Sequence, residues 1–328
     1  MEDKLLLEVK DLHTSFATPE GIVRSVDGVS FNVKQGETLA LVGESGCGKA
    51  VPSLSIIGLL ADTAKVEAET LKFDGKDLLP MTKEERRQLR GTGVSMIFQE
   101  PMTSLNPVYK IEKQIGDVYS CHHPEMSKEE IHDKSVEMLK LVGVPNPEER
   151  LKVYPHQLSG GLRQRVMIAI ALAADPLLVI ADEPTTALDV TIQAQILKLM
   201  KQLQQQNNMS IILITHDFGV VSKLANRVAV MYAGKIVEEG NVEDIFREPL
   251  HPYTELLILS IPGIKVKRGG RLEAIQGAVP NPLKFPTGCR FHPRCPYAMD
   301  ICKEQAPPET MFGDRRVSCF LRGNKDAE

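Results

Sequence analysis

The stretch ETLALVGESGCGKA, Glu37 to Ala50, joins a continuous apolar run to a glycine-rich loop that ends in lysine. Leu39 to Val42 predicts a buried strand. Gly43 to Lys49 fits G-x-x-x-x-G-K, a loop whose backbone N–H groups cradle phosphates and whose lysine reaches the β and γ groups. Strand, phosphate loop and helix in that order predict an α/β nucleotide-binding core. The pattern normally closes with Ser or Thr, whose hydroxyl meets magnesium, and here it closes with Ala50. Pro52 falls in the first turn of the helix expected from about Lys49, where a missing N–H costs little.

On the N-terminal side, LLLEVKDLHTSF (from Leu5) and GIVRSVDGVSFNV (from Gly21) alternate apolar and polar residues, which predicts an antiparallel β layer. On the C-terminal side, PLLVIADEP (from Pro176) and SIILITHD (from Ser210) are short apolar runs ending in polar residues. They read as buried strands that present an active edge. Between them Ile192, Ile196, Leu199 and Leu203 recur at helical spacing, and RVAVMYAGKIVEEG (from Arg227) predicts a hairpin turning at Ala233-Gly234. Residues 83–170 are richer in charge and helix signals and read as a helical insertion. From about Leu250 proline, glycine and cysteine rise and periodicity fades, which marks a separate module. No internal repeat or low-complexity segment is evident.

The 328 residues suggest about two domains, and 42% hydrophobic with 25% charged residues is ordinary globular usage. A net charge of −4, ten Phe, six Tyr and no Trp give little electrostatic or stacking reason to expect nucleic acid. Met1 to Lys10 reads as a strand and not as a secretion signal. The longest apolar run, Met167 to Ile180, is interrupted by Asp175 and Pro176, so any membrane crossing is expected from other chains.

Several polar groups join the phosphate loop as candidates. Asp182 ends an apolar run and Glu183 follows it, a carboxylate pair suited to a metal and an attacking water. LSGGLRQR (Leu158 to Arg165) places Ser159, Gly160 and Gly161 at a helix start, where backbone N–H groups and the helix dipole favour anions. Gln99 follows VSMIF and His216 follows IILIT. Cys47 sits near a helix N-terminus, which lowers a thiol pKa, but its position calls for its backbone N–H, with the side chain incidental.

Taken in order and spacing, GESGCGK, Gln99, LSGGLRQR, LLVIADEP, TTALD and ITH resemble the ATP-binding subunit of an ABC transporter over residues 1 to about 245. LSGGL is the element that separates this family from other phosphate-loop proteins. The resemblance implies that Gly43, Glu44, Ser45, Gly46, Cys47, Gly48, Lys49, Ala50 and Val51 wrap the phosphates, with Lys49 on the β and γ groups. It places Phe16 on adenine, although a core-facing strand residue is the plainer role. It implies that Gln99 senses the γ-phosphate and contacts magnesium or water, that Asp182 holds magnesium through water, and that Glu183 polarises the attacking water. His216 would contact the γ-phosphate, and Asp189 of TTALD would face a dimer partner. Two such subunits pair head to tail, each ATP lying between one chain's phosphate loop and the other's LSGG. Ala50 would therefore weaken only the site holding this chain's own loop. A different partner leaves one intact site, and a homodimer leaves none.

Cys289, Cys295, Cys302 and Cys319 are separated by five, six and sixteen residues. Disulfides are disfavoured for an ATP-driven subunit in a reducing compartment. Four thiolates suit zinc, though the usual C-x-x-C pairs are absent, and they suit an iron–sulfur cluster. HPYTELLILSIP (from His251) and VPNPLKFPTGCRFHPRC (from Val279) resemble the C-terminal extension of dipeptide and oligopeptide importers over residues 248–321. That extension carries a [4Fe–4S] cluster in some members, so the resemblance favours iron–sulfur over zinc, with His292 available as a substitute ligand. KVKRGGR, Lys265 to Arg271, reads as a solvated loop, with phospholipid or a partner subunit as the alternative contact.

The expectation is an α/β phosphate-loop NTPase core of ABC ATPase type. It has an N-terminal antiparallel β layer, a helical subdomain at about 83–170 and a small Cys-rich C-terminal module, divided as residues 1–248 and 249–328. Its function would be ATP hydrolysis powering dipeptide or oligopeptide import. The partners would be a second ATPase subunit, two membrane-spanning permease subunits and an external peptide-binding protein, at the cytoplasmic face of the membrane, with ATP and magnesium as cofactors. Alternatives are transport of nickel or another small solute, a nucleotide-binding subunit with little hydrolysis, and a soluble ABC ATPase of DNA repair or translation.

Overall fold

The computed structural model describes residues 4–186, 188–261 and 275–323, so the basic run Lys265 to Arg271 lies outside the described residues. The chain forms two units, one built from Met1–Pro80 with Leu213–Glu328 and the other from Met81–Ile212.

In the first unit β1 (Leu5–Thr18) and β2 (Gly21–Lys34) form an antiparallel ribbon running from the Thr18–Gly21 pair to the Leu5–Lys34 pair. Its period-two pattern buries Leu7, Val9, Leu12, Val26, Val29, Phe31 and Val33. β3 (Thr38–Val42) is buried at all five positions, as an unbroken apolar run in a central strand must be. It leads through the glycine loop into α1 (Ala50–Ile57). β4 (Ala64–Glu67) and β5 (Thr70–Phe73) each pair antiparallel with β1, and β6 (Lys76–Asp77) pairs with β5.

The second unit begins with α2 (Lys83–Leu89) and β7 (Val94–Ile97), followed by α3 (Pro101–Ser104), α4 (Ile111–His122), α5 (Lys128–Leu141), α6 (Pro147–Leu151) and α7 (Gly160–Leu172). Two of these helices start on full capping boxes, Thr82 with Glu85 and Ser127 with Glu130, which satisfy N–H groups that the helix itself leaves unpaired. β8 (Leu178–Asp182) lies parallel to β7 with Ala181 opposite Ile97. α8 (Val190–Asn207) buries Ile196, Leu199 and Leu203, and β9 (Ser210–Thr215) carries the chain out of this unit.

Back in the first unit come α9 (Phe218–Leu224), β10 (Arg227–Tyr232), β11 (Lys235–Asn241), α10 (Val242–Arg247) and α11 (Pro252–Leu259). The C-terminal segment adds α12 (Asp300–Glu304), β12 (Thr310–Phe312), β13 (Arg315–Val317) and α13 (Phe320–Gly323). β12, β13, β11, β10 and β3 neighbour one another in that order. β10 runs parallel to β3 and forms a hairpin with β11 that turns at Ala233-Gly234. The short C-terminal strands thus extend the sheet that holds β3. Among the described residues no helix is long and apolar enough to cross a membrane.

A buried carboxylate organises the return of the chain after α10. Glu238 of β11 is fully buried and accepts hydrogen bonds from the N–H groups of Leu250 and His251, at 2.8 and 2.9 Å. His251 in turn caps α11, its Nδ1 accepting from Tyr253 N–H at 3.0 Å. The rings of Tyr232, Tyr253 and Phe291 close over this corner, with centroids 4.7 to 5.3 Å apart in edge-on and tilted pairs.

Burial lowers the His251 pKa from 6.5 to about 3. The unfolded chain therefore takes up a proton that the native chain excludes once the pH falls below 6.5, and stability drops from there towards pH 3. Each pH unit in that window costs about 1.4 kcal/mol. Burial raises the neighbouring Glu238 carboxyl, which acts in the opposite sense by lowering stability as pH rises. The informative quantity is thus the difference between chains. Urea midpoints taken from pH 7.5 to 4.5 should fall less steeply for His251→Asn than for the parent, and parallel curves would refute the assignment.

Candidate functional site

The candidate nucleotide-binding residues fall into two sets, one in each unit. In the first unit, β3 delivers Gly43 at its end and α1 begins at Ala50, so the loop spans the gap between a buried strand and a helix N-terminus. Two glycines let this loop lie against neighbouring main chain. A Cβ at Gly43 would collide with the carbonyl oxygen of Met231, and one at Gly48, where φ is 98°, would collide with that of Ser25. Gly234 N–H donates to the Cys47 carbonyl at 2.9 Å, which fixes the loop from the β10–β11 turn.

Lys49 is 7% exposed, and its ammonium donates to the Gly43 and Glu44 carbonyls at 2.7 and 3.0 Å. It therefore points back across the loop it ends. Ala50 opens α1 with no side-chain oxygen, and Val51 N–H donates to the Gly48 carbonyl at 3.1 Å. Ser45 and Gly46 form the exposed crest of the loop. Cys47 is 1% exposed, and burial pushes its thiol up to about 11, the opposite of a reactive thiolate. Phe16 lies on β1 between Val23 of β2 and Ala64 of β4, half-buried. His216 is exposed immediately after β9, and Asp217 beside it caps α9 by accepting from Gly219 N–H at 2.7 Å.

Glu44 is held at three points. Its carbonyl takes Lys49, its N–H donates to the Tyr253 hydroxyl at 2.8 Å, and its carboxylate receives both Nη atoms of Arg294 at 2.7 and 2.9 Å. Sequence reasoning assigned no role to Tyr253 or Arg294. Both lie in stretches singled out above, HPY and FHPRC, but nothing in either connects it to a loop 209 and 250 residues away.

In the second unit the parallel β7–β8 register sets Gln99 and Glu183 side by side, each two residues beyond the paired Ile97 and Ala181. Gln99 Nε2 donates to the Glu183 carboxylate at 3.3 Å, and Thr186 Oγ1 donates to the same oxygen at 2.9 Å. Glu183 has φ 44°, a left-handed conformation that an ordinary side chain adopts at a cost of about 1–3 kcal/mol and that concentrates at working sites. Asp182, the last residue of β8, is half-buried.

Ser159 caps α7, accepting from Leu162 N–H at 3.4 Å, and Gly160 faces open space. Gly161 sits under Ile192, where a Cβ would meet the isoleucine methyl at 3.0 Å. Asp189 caps α8 by accepting from Ile192 N–H at 2.9 Å and, like Val190 beside it, is exposed. Buried Gln164 ties α7 to the carboxylate loop by donating to the Pro184 carbonyl at 2.6 Å, a contact that the motif reading missed.

The metal centre expected at Cys289, Cys295, Cys302 and Cys319 requires correction. All four line one small cavity of about 10 Å³, which has room for roughly one water molecule. Among the described residues, however, no group of three or more His, Cys, Asp or Glu side chains is arranged to hold a metal ion. Burial raises the thiols of Cys289, Cys295 and Cys319, the last to about 11. Neither the [4Fe–4S] cluster nor zinc is supported, and His292 is engaged with the Cys289 carbonyl at 2.9 Å.

Comparison with known proteins agrees with the motif order. Residues 26–186 match the ABC transporter family, and residues 237–302 match the oligopeptide/dipeptide transporter C-terminal region. The dipeptide transport ATP-binding protein DppD of Haemophilus influenzae is 52% identical over 98% of this chain and 96% of its own length. The oligopeptide transport ATP-binding protein AppD of Bacillus subtilis is 54% identical over 98% of each. Among solved structures, a dimeric bacterial ABC transporter cassette superposes with a TM-score of 0.66 at 26% identity, covering 72% of this chain and 99% of that one. With half its residues shared along almost the whole length, the chain belongs to the dipeptide and oligopeptide transport ATP-binding protein family of ABC transporters.

Proposed function

We propose that this chain binds and hydrolyses ATP to power import of dipeptides or oligopeptides through separate membrane-spanning subunits. The observation that carries the reading is identity of about half over 98% of the chain to dipeptide and oligopeptide transport ATP-binding proteins, with every nucleotide motif in place except the hydroxyl at position 50. Residues 1–248 form the ATPase domain, with a helical subdomain at about 83–170, and 249–328 the C-terminal extension.

Gly43 to Val51 wrap the phosphates and Lys49 moves from its own loop carbonyls onto the β and γ groups. Phe16 stacks on adenine and His216 contacts the γ-phosphate. Gln99 and Asp182 offer oxygen donors of the kind magnesium takes, and they would hold it, since Ala50 supplies none. The bound ion would offset negative charge on the phosphates. Glu183, oriented by Gln99 and Thr186, accepts the proton of the attacking water as that oxygen bonds to the γ-phosphorus and the bond to ADP breaks.

Ser159 and Gly160, exposed at the N-terminus of α7, and half-buried Gly161 beside them complete the ATP site of a second ATPase subunit, and exposed Asp189 faces that partner. Next to Gln99 in sequence, Phe98, Met102, Val108 and Tyr109 are 40, 57, 71 and 43% exposed, an apolar surface suited to one of two permease subunits. The chain then sits at the cytoplasmic face of the membrane, peripherally, and an external binding protein delivers peptide to the permease.

Co-purification with its membrane subunits and reconstitution into vesicles should give ATP-driven uptake of labelled dipeptide; uptake of nickel with none of peptide would overturn the substrate assignment. Glu183→Gln should lower turnover roughly 10²–10⁴-fold, the range for loss of a general base, with Mg-ATP affinity retained. Ala50→Ser should raise magnesium-dependent turnover on the order of 10–100-fold, from a hydrogen bond to a charged group regained in the transition state. Equal rates across magnesium concentrations would show that the missing hydroxyl is immaterial.

A further inference from the structure

We propose that Arg294 is a positioning residue for the phosphate loop, so that the C-terminal segment sets the affinity for the triphosphate through Glu44. The inference rests on the nucleotide-site reading above and concerns residues that reading leaves without a role.

Arg294 is fixed in orientation before it meets Glu44. Its side chain is 5% exposed, and its Nε donates to the Gln276 carbonyl at 2.8 Å. Its guanidinium carbon lies 5.8 Å from the Tyr232 ring centroid. With the fork oriented in this way, both Nη atoms meet the two Glu44 oxygens in a bidentate pair, a geometry that fixes direction as well as distance. Tyr253, 0% exposed and edge-on to Tyr232, takes the N–H of the same residue.

These contacts reach the chemistry through a single residue. The Glu44 carbonyl is one of the two acceptors that hold the Lys49 ammonium, so the angle of the Glu44 peptide sets where Lys49 waits. Tyr253 holds the Gly43–Glu44 peptide by its N–H, the peptide whose carbonyl is the other Lys49 acceptor, and Arg294 holds the Glu44 side chain by its carboxylate, so the two fix Glu44 on both counts. An exposed acidic side chain on a phosphate loop would repel the anion the loop is meant to bind. Pairing with Arg294 removes that repulsion, so the pair tunes the loop electrostatically as well as geometrically. A purely structural pair would change stability and leave nucleotide affinity alone.

The test is Mg-ATP binding by calorimetry on the full chain, in the Glu183→Gln background to prevent turnover. Arg294→Gln should weaken binding on the order of 10-fold, the scale of one charge-assisted hydrogen bond. Glu44→Gln should lose a similar factor less the relief of its own charge, and the double variant should lose no more than Arg294→Gln alone, because both remove one interaction. Additive losses, or unchanged affinity in Arg294→Gln, would overturn the proposal. Should Arg294→Gln fail to fold, Arg294→Lys keeps the charge but loses the bidentate fork, and unchanged Mg-ATP affinity there counts against the proposal. If the Glu183→Gln parent itself does not bind Mg-ATP, the nucleotide-site reading fails first, and a parent that binds normally beside an unaffected Arg294→Gln isolates failure of the clamp.

Discussion

A loop of backbone N–H groups holds a triphosphate only if its shape exists before the nucleotide arrives, and here that shape is imposed by main chain pressed against main chain. Gly43 passes the Met231 carbonyl and Gly48 passes the Ser25 carbonyl too closely for any side chain. The loop is therefore a casting of its surroundings. β2 supplies one wall, the end of β10 another, and the turn after it adds the Gly234 hydrogen bond. The antiparallel ribbon and the β10–β11 hairpin are what hold those walls in place.

The second unit solves a related problem with strand register. Two parallel strands ending in step put Gln99 and Glu183 within hydrogen-bonding distance although 84 residues separate them. The turn that follows forces Glu183 into a left-handed conformation, and the carboxylate is then oriented by an amide and a hydroxyl. Strain of this kind persists where packing over-determines it. The packing here includes Gln164, buried in α7, whose amide holds the Pro184 carbonyl.

Much of this was legible because local pattern and tertiary role coincide. Alternation marked β1 and β2, an unbroken apolar run marked β3, and the residues at strand ends carried the polar chemistry. The contacts that could not be read join residues distant in the chain through geometry alone. Glu44 and Arg294 look unremarkable in sequence, one at a position of the G-x-x-x-x-G-K loop that the pattern leaves open and the other a basic residue in a proline-rich segment, and only the folded C-terminal segment aligns a guanidinium with that carboxylate. The cysteines misled for the converse reason. Four thiols clustered in sequence suggested a shared ligand, whereas folding sets them around a void of about 10 Å³, and among the described residues no group of three or more His, Cys, Asp or Glu is arranged to hold a metal ion. Clustering along the chain reports proximity but not the convergence of side chains that a metal site needs.

Lys49 adds a consequence for how nucleotide is captured. Its ammonium has already exchanged water for two neutral main-chain oxygens when the chain folds. In its proposed role, Lys49 would meet an incoming polyphosphate already largely withdrawn from water, and capture would be a trade of carbonyl partners for anionic ones. The loop would keep its cation on a latch, released by the stronger acceptor, with much of the cost of stripping solvent from a mobile ammonium met on folding.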